Sequence, residues 1–505
     1  MKFIDSFLDQ ITMYKLLLYY LLAILGAAMI FGAIGGLAFS PIDIALSSGF
    51  LVAVCWSVNA VFTWVYKAPS NPESSILTGL ILALIVTPSA TPHGAIFFAA
   101  VGGLAIASKY ILAINHKHIF NPAAIAVVLT AFGPLQSASW WVGSALLAPF
   151  VVVGGLLVVR KIRRTRMVGL FFAVAIASTS LLAVLAHNDL VATLQATLLH
   201  SSLLFLGFVM LTEPLTSPSR WADQRWYALI VGILFAPQLH LADIYSTPEL
   251  ALVIGNLASF ALTPRVKTLL SLRERLGWGK STEDYIFRPE RGFDYKPGQY
   301  IELTLPHRSP DSRGSRRYFT LASSPTEKDL RIGIRFYDKG SSFKRTMRSV
   351  TGLTPISAGQ LGGEFTLPAG SQQKLAFIAG GIGVTPFRSM VKYLDDTNDS
   401  RAVTLLYGER TVQDIAYVDV FEAARKHIGT NTVYIVNDAT TKPSSKLRIG
   451  KITSELIQAE LPDYGERLFY VSGPPVMVRS IKRTLLGLGV TRHNIKVDFF
   501  SGYAS

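Results

Sequence analysis

The stretch AFIAGGIGVTPFRSM, residues 376–390, sets Gly380, Gly381 and Gly383 between an apolar run and a segment of helical composition. The spacing predicts a buried strand, a turn whose backbone can approach a ligand closely, and a helix with Thr385 as N-cap and Pro386 at its first position. Free amides and the helix dipole at such a start favour an anion, so a nucleotide pyrophosphate would lie there. No third glycine completes a G-x-G-x-x-G pattern, and a turn of this kind also serves plain strand-to-helix packing.

Other stretches add compatible chemistry. RYFTLASSP, residues 317–325, offers Arg317 to neutralise a pyrophosphate, Phe319 to stack on a flat ring system and Thr320 to reach a ring nitrogen. In RFYDKGSSF, residues 335–343, Gly340, Ser341 and Ser342 can hold the same phosphates through amide and hydroxyl donors. LLYGER ends in Gly408 and Arg410, and LFYVSGPPVM presents Ser472, Gly473 and Pro474. Arg410 with TTKPSSKLR, residues 440–448, suits a 2′-phosphate, whereas Asp438 at the end of VYIVND suits a ribose hydroxyl. NADH and NADPH both stay open, with a slight lean to NADH.

The elements that must position these residues differ sharply along the chain. Mean hydropathy is +0.38 and only 16% of residues are charged, too apolar for an ordinary soluble protein. Up to about Thr263 the apolar runs reach or approach the roughly 20 residues that cross a bilayer core. Beyond Arg265 they shorten to strand length and charge becomes dense. Asp5 and Asp9 lead into the first run, which is too long for a cleavable signal and reads as the first membrane helix.

Spans are expected near residues 14–39, 44–66, 75–88, 95–113, 121–133, 140–159, 167–187, 198–214, 226–242 and 248–263, about ten in all. With the N-terminus inside, the inner loops carry Lys67, Lys109, Lys117, RKIRRTR at 160–166, Arg220 and Arg225, while the outer loops carry no lysine or arginine. That asymmetry predicts a cytoplasmic C-terminal half. It also accounts for the net charge of +15 without nucleic acid, with anionic lipid binding as the other reading of RKIRRTR. Prolines four apart in VTPSATP (86–92) and LTEPLTSP (211–218) suggest an inverted repeat of five spans per half, although proline also simply ends helices. The single cysteine, Cys55, excludes an intrachain disulfide and a cysteine-held iron–sulfur cluster, and no metal site is expected.

SKYILAINHKHIFNPAAIAVVL (108–129) and FVMLTEPLTSP (208–218) resemble the NqrB/RnfD family, membrane components of the sodium-translocating NADH:quinone oxidoreductase and of the Rnf complex. That resemblance, over about residues 14–265, implies electron transfer through the membrane on flavins. Relatives with covalent FMN attach it to a threonine just after span five, where this chain reads GPLQSASWWVG (133–143), so no covalent FMN is expected and a noncovalent FMN or riboflavin stays open. Asn121 and Asn256 either hydrogen-bond a flavin edge or cap broken helices, and Glu213 is either a functional carboxylate at membrane depth or an interfacial acid.

The order of motifs from Arg317 onward resembles the ferredoxin–NADP reductase superfamily over about 230 residues. The resemblance implies FAD held by Arg317, Phe319 and Thr320, with Gly340, Ser341 and Ser342 on its phosphates. NAD(P) would lie on Gly380, Gly381, Gly383, Thr385 and Pro386, with Gly408 and Arg410 nearby and Gly473 and Pro474 flanking the nicotinamide. Thr320, Ser472 and Tyr503 would border the hydride path, Asp498 and Phe500 would belong to the closing segment, and Ser472 stands where the family usually has cysteine.

The expected organisation is a polytopic α-helical membrane domain (1–265), a linker (266–280), an antiparallel β-barrel FAD domain (281–370) and an α/β NAD(P)-binding domain (371–505). The expected function is a bacterial inner-membrane NAD(P)H dehydrogenase with an extracytoplasmic flavin or flavinylated acceptor, membrane lipid being its surround. A quinone acceptor, with or without ion coupling, and a nucleotide-gated transporter are the alternatives. Haem is disfavoured because His116 and His118 share one loop and only His200 falls inside a span.

Overall fold

In a computed structural model of the chain, two compact units meet in sequence at Val266 and Lys267. The structure describes residues 7–8, 11–66, 72–114, 117–133, 137–262, 268–279, 281–307, 311, 314–337, 340–370, 372–438, 443–444 and 446–499.

In the first unit, helices start where a hydroxyl or amide side chain can close the free amides and proline can follow. Thr12 caps α1 (Met13–Ala33), Ser40 caps α2 (Pro41–Val65), and α3 (Pro72–Ile85) ends at the first proline-rich break. Thr91 caps α4 (Pro92–Ile111), which runs into a hairpin of β1 (Ala113–Ile114) and β2 (Lys117–His118) and then α5 (Pro122–Ala131), capped by Asn121. The order then repeats. Helices α6 (Ala148–Ile162) and α7 (Thr165–Leu185) precede α8 (Leu190–Leu199), which bends into α9 (Leu203–Phe205) and a π turn, Leu206–Met210. After the second proline-rich break come α10 (Trp221–Leu234), the β3 (His240–Leu241) and β4 (Ile244–Tyr245) hairpin, and α11 (Pro248–Leu262).

Helices form near each expected span, but their lengths differ from the expectation. Among the described residues four, α1, α2, α4 and α7, are long and apolar enough to cross a membrane, or five if the pair bent by 52° at residues 199–203 counts as one. The breaks and caps cut the others short: the ten residues of α5 rise only about 15 Å, half a bilayer core.

The second unit begins with a correction. Residues 268–278, expected as linker, form β5 (Thr268–Trp278), an interior strand of an antiparallel sheet. Leu270 faces inward while Leu269, Ser271 and Arg273 face out, so the strand period is present but masked by Arg-Glu-Arg. The sheet order is β8-β7-β10-β5-β6-β9, from β6 (Thr282–Pro289), β7 (Tyr300–Thr304), β8 (Arg316–Thr320), β9 (Leu330–Arg335) and β10 (Ile356–Gly362), with α12 (Ser342–Arg348) between β9 and β10. Its core gathers Tyr285, Phe287, Leu303, Ile332 and Phe343.

A parallel six-stranded sheet follows, ordered β14-β13-β12-β11-β15-β16. Its strands are β11 (Leu375–Gly380), β12 (Val403–Glu409), β13 (Asn431–Val436), β14 (Leu447–Ile449), β15 (Leu468–Gly473) and β16 (Ile495–Phe499). Helices α13 (Thr385–Asp396), α14 (Val418–Ile428), α15 (Ser454–Glu460) and α16 (Pro475–Gly487) connect them. Chain order reverses beside β11, so the crevice past its C-terminal end is where a parallel sheet of this kind takes a ligand. The glycine turn lies there.

Candidate functional site

At the end of β11 the backbone runs close against its neighbours. A Cβ on Gly380 would lie 2.1 Å from Met477 Sδ, and one on Gly383 would lie 2.5 Å from the Ser472 carbonyl oxygen and 2.6 Å from Gly473 Cα. Gly381 has φ +59°, in the left-handed region. These glycines therefore seat the turn against the tip of β15, and a cleft opens between them, lined by Arg335, Tyr337, Gly380, Gly381, Ile382, Gly383, Gly473 and Pro474.

Thr385 is not the N-cap. Residues Gly381–Val384 form a 3-10 turn that feeds α13 directly, so Thr385 is already helical and its hydroxyl donates to the Ile382 carbonyl at 3.1 Å. Pro386 accordingly occupies the second helical position. Ser472, at the end of β15, is buried, and its Oγ has no hydrogen-bond partner among the described residues. Gly408 pairs with Gly380 across β11 and β12, and Arg410 is exposed just beyond. Phe500 and Tyr503 lie outside the described residues, while Asp498 pairs in register with Ser472.

Arg335, which spacing alone did not single out, reaches Glu409 at 3.4 Å and lines the cleft. Burial pushes the Glu409 carboxyl up, against the charge of Arg335. The signal was the alternation of LRIGIR, which ends β9 at Arg335.

On the barrel side, Thr320 closes β8, is buried, and its Oγ1 also lacks a partner among the described residues. Phe319 packs 5.8 Å from Phe343, and the Arg317 guanidinium sits 5.4 Å from the same ring. Two expected phosphate ligands are otherwise engaged. The Ser341 hydroxyl caps α12 by accepting from Lys344 N, and the Ser342 hydroxyl accepts from Asp311 N at 2.9 Å and contacts His307 Nε2 at 3.0 Å. The Asp311 carboxylate takes the Ser342 amide at 2.9 Å and lies 3.6 Å from Arg317. An anion from the chain itself thus holds two donors expected for a pyrophosphate, with Gly340 adjacent.

A buried polar network locks the barrel to the parallel sheet. Tyr417, at φ +62°, donates to Asp284 at 2.5 Å, and Arg331 donates to the same carboxylate at 3.2 Å. Arg388 on α13 donates to Glu327 at 2.5 and 2.9 Å and to the Ala322 carbonyl at 2.8 Å. Gly333 lets β9 pass against this region, since a Cβ there would lie 2.8 Å from Thr385 Cγ2 and Tyr417 Oη. Burial raises Asp284 despite its Tyr417 and Arg331 partners, and burial also pushes Glu327 up, but Arg388 outweighs it and holds Glu327 below its ordinary value. Sequence reasoning missed this network because its members are scattered from residue 284 to 417.

In the first unit the structure brings Asn121, Glu213 and Asn256 together. The Asn256 amide oxygen accepts from Asn121 N at 2.7 Å, and Asn121 Nδ2 donates to Glu213 at 2.9 Å. Thr216 donates to Glu213 at 3.1 Å, and His118 Nε2 lies 3.4 Å from it. Asn121 also caps α5, so its capping and clustering roles coexist. A buried acid, Glu249, escaped notice in the sequence; it accepts from Trp140 Nε1 at 2.9 Å.

Comparison with known proteins bears on the second unit. Residues 377–483 match the family model of the oxidoreductase NAD-binding domain. The chain is 28% identical over 218 residues to the reductase component of propane 2-monooxygenase from Rhodococcus jostii, covering 42% of this chain and 57% of that protein. It is 26% identical over 238 residues to the gamma subunit of sulfhydrogenase 2 from Pyrococcus furiosus, covering 45% and 77%. A solved FAD/NAD-binding domain of nitric oxide dioxygenase from Vibrio cholerae is 20% identical, with a TM-score of 0.40 over 46% of this chain and 98% of that one. The chain spans little more than half the length of several curated relatives, including two flavohemoproteins at 58% and 57%. With an antiparallel barrel, a parallel sheet and a glycine turn in that order, the C-terminal half of this chain is a ferredoxin–NADP reductase-like FAD/NAD-binding module.

Proposed function

We propose that this chain is a membrane NAD(P)H dehydrogenase that delivers electrons across the bilayer to an extracytoplasmic flavin or flavin-bearing protein. The observation that carries the reading is the union, on one chain, of the reductase cleft with a polar cluster where a ten-residue helix and a fifteen-residue helix, α5 and α11, meet at Asn121 and Asn256. Bound FAD would supply acceptance of two electrons as hydride and their release one at a time. Thr320 and Ser472, both buried with hydroxyls that have no partner among the described residues, fit as donors to the flavin and nicotinamide edges, and Arg317 as the pyrophosphate's counter-charge. Asp438 supports NADH as the donor.

The membrane half of the reading is that the first unit is of the NqrB/RnfD kind, with ten spans, the second five running upside down. Its repeated element order supports this, as do the half-length helices that such repeats place at a midplane site. Asn121, Asn256 and Glu213 would hold a noncovalent FMN or riboflavin there. A quinone is the second acceptor to consider, because the His118–Glu213 pair offers the protons that quinone reduction takes up. The module would face the cytoplasm of a bacterium, the side marked by the basic loops.

The test is acid extraction of flavins from the purified full-length chain. FAD plus a second flavin near one per chain supports the reading; FAD alone, in a chain that still oxidises NADH, removes the membrane carrier.

A further inference from the structure

Of the residues lining the cleft at the glycine turn, Arg335 alone is charged, and the Glu409 carboxylate lies 3.4 Å from it. The pair leaves little net charge to draw a dianionic dinucleotide in from solution. Attraction over a distance must come from outside the cleft.

Helix α16 supplies it. The helix starts at Pro475, next to the cleft-lining Pro474, and buries Val478, Ile481 and Leu485 against the sheet. Arg479 and Arg483 are exposed and Lys482 is half-buried. At about 100° per residue, Lys482 and Arg483 stand roughly 60° and 40° to either side of Arg479, so the three share one face. None of their side chains has a hydrogen-bond or ion-pair partner among the described residues. No acid occurs from Pro474 to Val497. Of the two acids on α15, which covers the same face of the sheet, Glu460 lies 2.7 Å from Arg448, so Glu455 alone stands against three cations. Strands β15 and β12 flank β11, and on the β12 side exposed Arg410 likewise has no side-chain partner among the described residues.

We infer that the basic face of α16 captures NAD(P)H from solution and steers its pyrophosphate to the glycine turn. A surface of one sign beside a cleft raises the on-rate of an oppositely charged ligand by about 10- to 1,000-fold. By the helical rise, Arg479 stands about 6 Å and Arg483 about 12 Å along the axis from Pro475. Both lie within about one to two screening lengths of the cleft edge at physiological salt. The face acts on the approach of the nucleotide, whereas the glycine turn holds it once bound. The inference rests on the cleft being the nucleotide's seat, and is independent of where the electrons then go.

The test is anaerobic stopped-flow reduction of the flavin in the purified full-length chain at limiting hydride donor, over a range of salt. NADH is compared with N-benzyl-dihydronicotinamide, an uncharged donor. In the native chain the bimolecular rate with NADH falls steeply as salt rises. The pair Arg479→Glu and Arg483→Glu lowers that rate about tenfold at low salt and flattens its salt dependence, and the two chains converge at high salt. The pair Arg479→Gln and Arg483→Gln falls between. The limiting rate at saturating NADH and the rate with the uncharged donor stay at wild type throughout. A Glu pair with the native NADH rate and salt slope overturns the inference. So does a loss shared equally by the uncharged donor, which marks damage to the cleft. A native chain whose flavin the uncharged donor reduces and NADH does not removes the reading of the cleft, and the inference with it.

Discussion

Gly383→Ala is the perturbation that the cleft geometry makes most specific. The new methyl would lie 2.5–2.6 Å from the Ser472 carbonyl oxygen, Gly473 N and Gly473 Cα, all backbone atoms that cannot rotate aside. Overpacking of this kind costs about 1–3 kcal/mol. Here the cheapest relief is for the turn to move off the tip of β15, which opens the seat of the nucleotide rather than unfolding the module. If the cost falls on the bound geometry, NAD(P)H affinity drops roughly 5- to 150-fold, at 1.4 kcal/mol per tenfold. Anaerobic stopped-flow reduction of the flavin, followed at rising NADH, reads the affinity directly, and FAD content should stay at wild type because Thr320 and Arg317 lie in the barrel. Gly381→Ala is milder in contact, 3.0 Å from Arg335 Nη1, but demands φ +59° and costs about 1–2 kcal/mol by itself. Gly465→Ala, with nothing within 4 Å of its Cβ, is the neutral control. Wild-type NADH affinity in Gly383→Ala would refute the contact between turn and strand tip on which the site is built.

Glu327→Gln should lower the module's melting temperature at neutral pH by roughly 4–8 °C, taking about 2 kcal/mol for the charge-assisted bonds to buried Arg388. Glu327 sits below its ordinary value when folded, so its contribution is present above about pH 4.5 and is lost as pH falls through the folded value; the variant's melting curve, read by FAD release, should flatten there. Asp284 acts in the opposite sense: raised by burial, it stabilises most at low pH and loses that contribution as pH rises. Asp311→Asn should tighten FAD binding by up to about fivefold, since the half-exposed carboxylate no longer competes for Arg317 and the Ser342 amide; fluorescence titration of the FAD-stripped chain measures it. Ser472→Ala removes a buried hydroxyl that has no partner among the described residues, so the melting temperature should hold while NAD(P)H affinity falls about fivefold.

What could be read from the chain was what local residue chemistry encodes. The strand, glycine turn and helix of 375–396 announced themselves because glycine and proline leave few alternatives at those positions. The N-cap was misplaced by a residue because a 3-10 turn and an α-helix share their first hydrogen bonds. Strand β5 was hidden by three consecutive charges on a half-exposed strand, a pattern that composition assigns to linker. The network of Asp284, Tyr417, Arg388 and Glu327, and the meeting of Asn121 with Asn256, depend on pairings more than 50 residues apart, which periodicity does not report. The expected spans are longer than the helices that form near them, because hydropathy sees apolar runs and not the breaks that shorten the helices within them.

Whether electrons cross the bilayer through this chain is decided by full-length protein in sealed liposomes, with ferricyanide trapped inside and NADH added only outside. The expected result is bleaching of the trapped ferricyanide, at a rate that falls with Gly383→Ala. Oxidation of NADH by external acceptors alone, with the trapped ferricyanide unreduced in intact vesicles, would contradict transmembrane transfer.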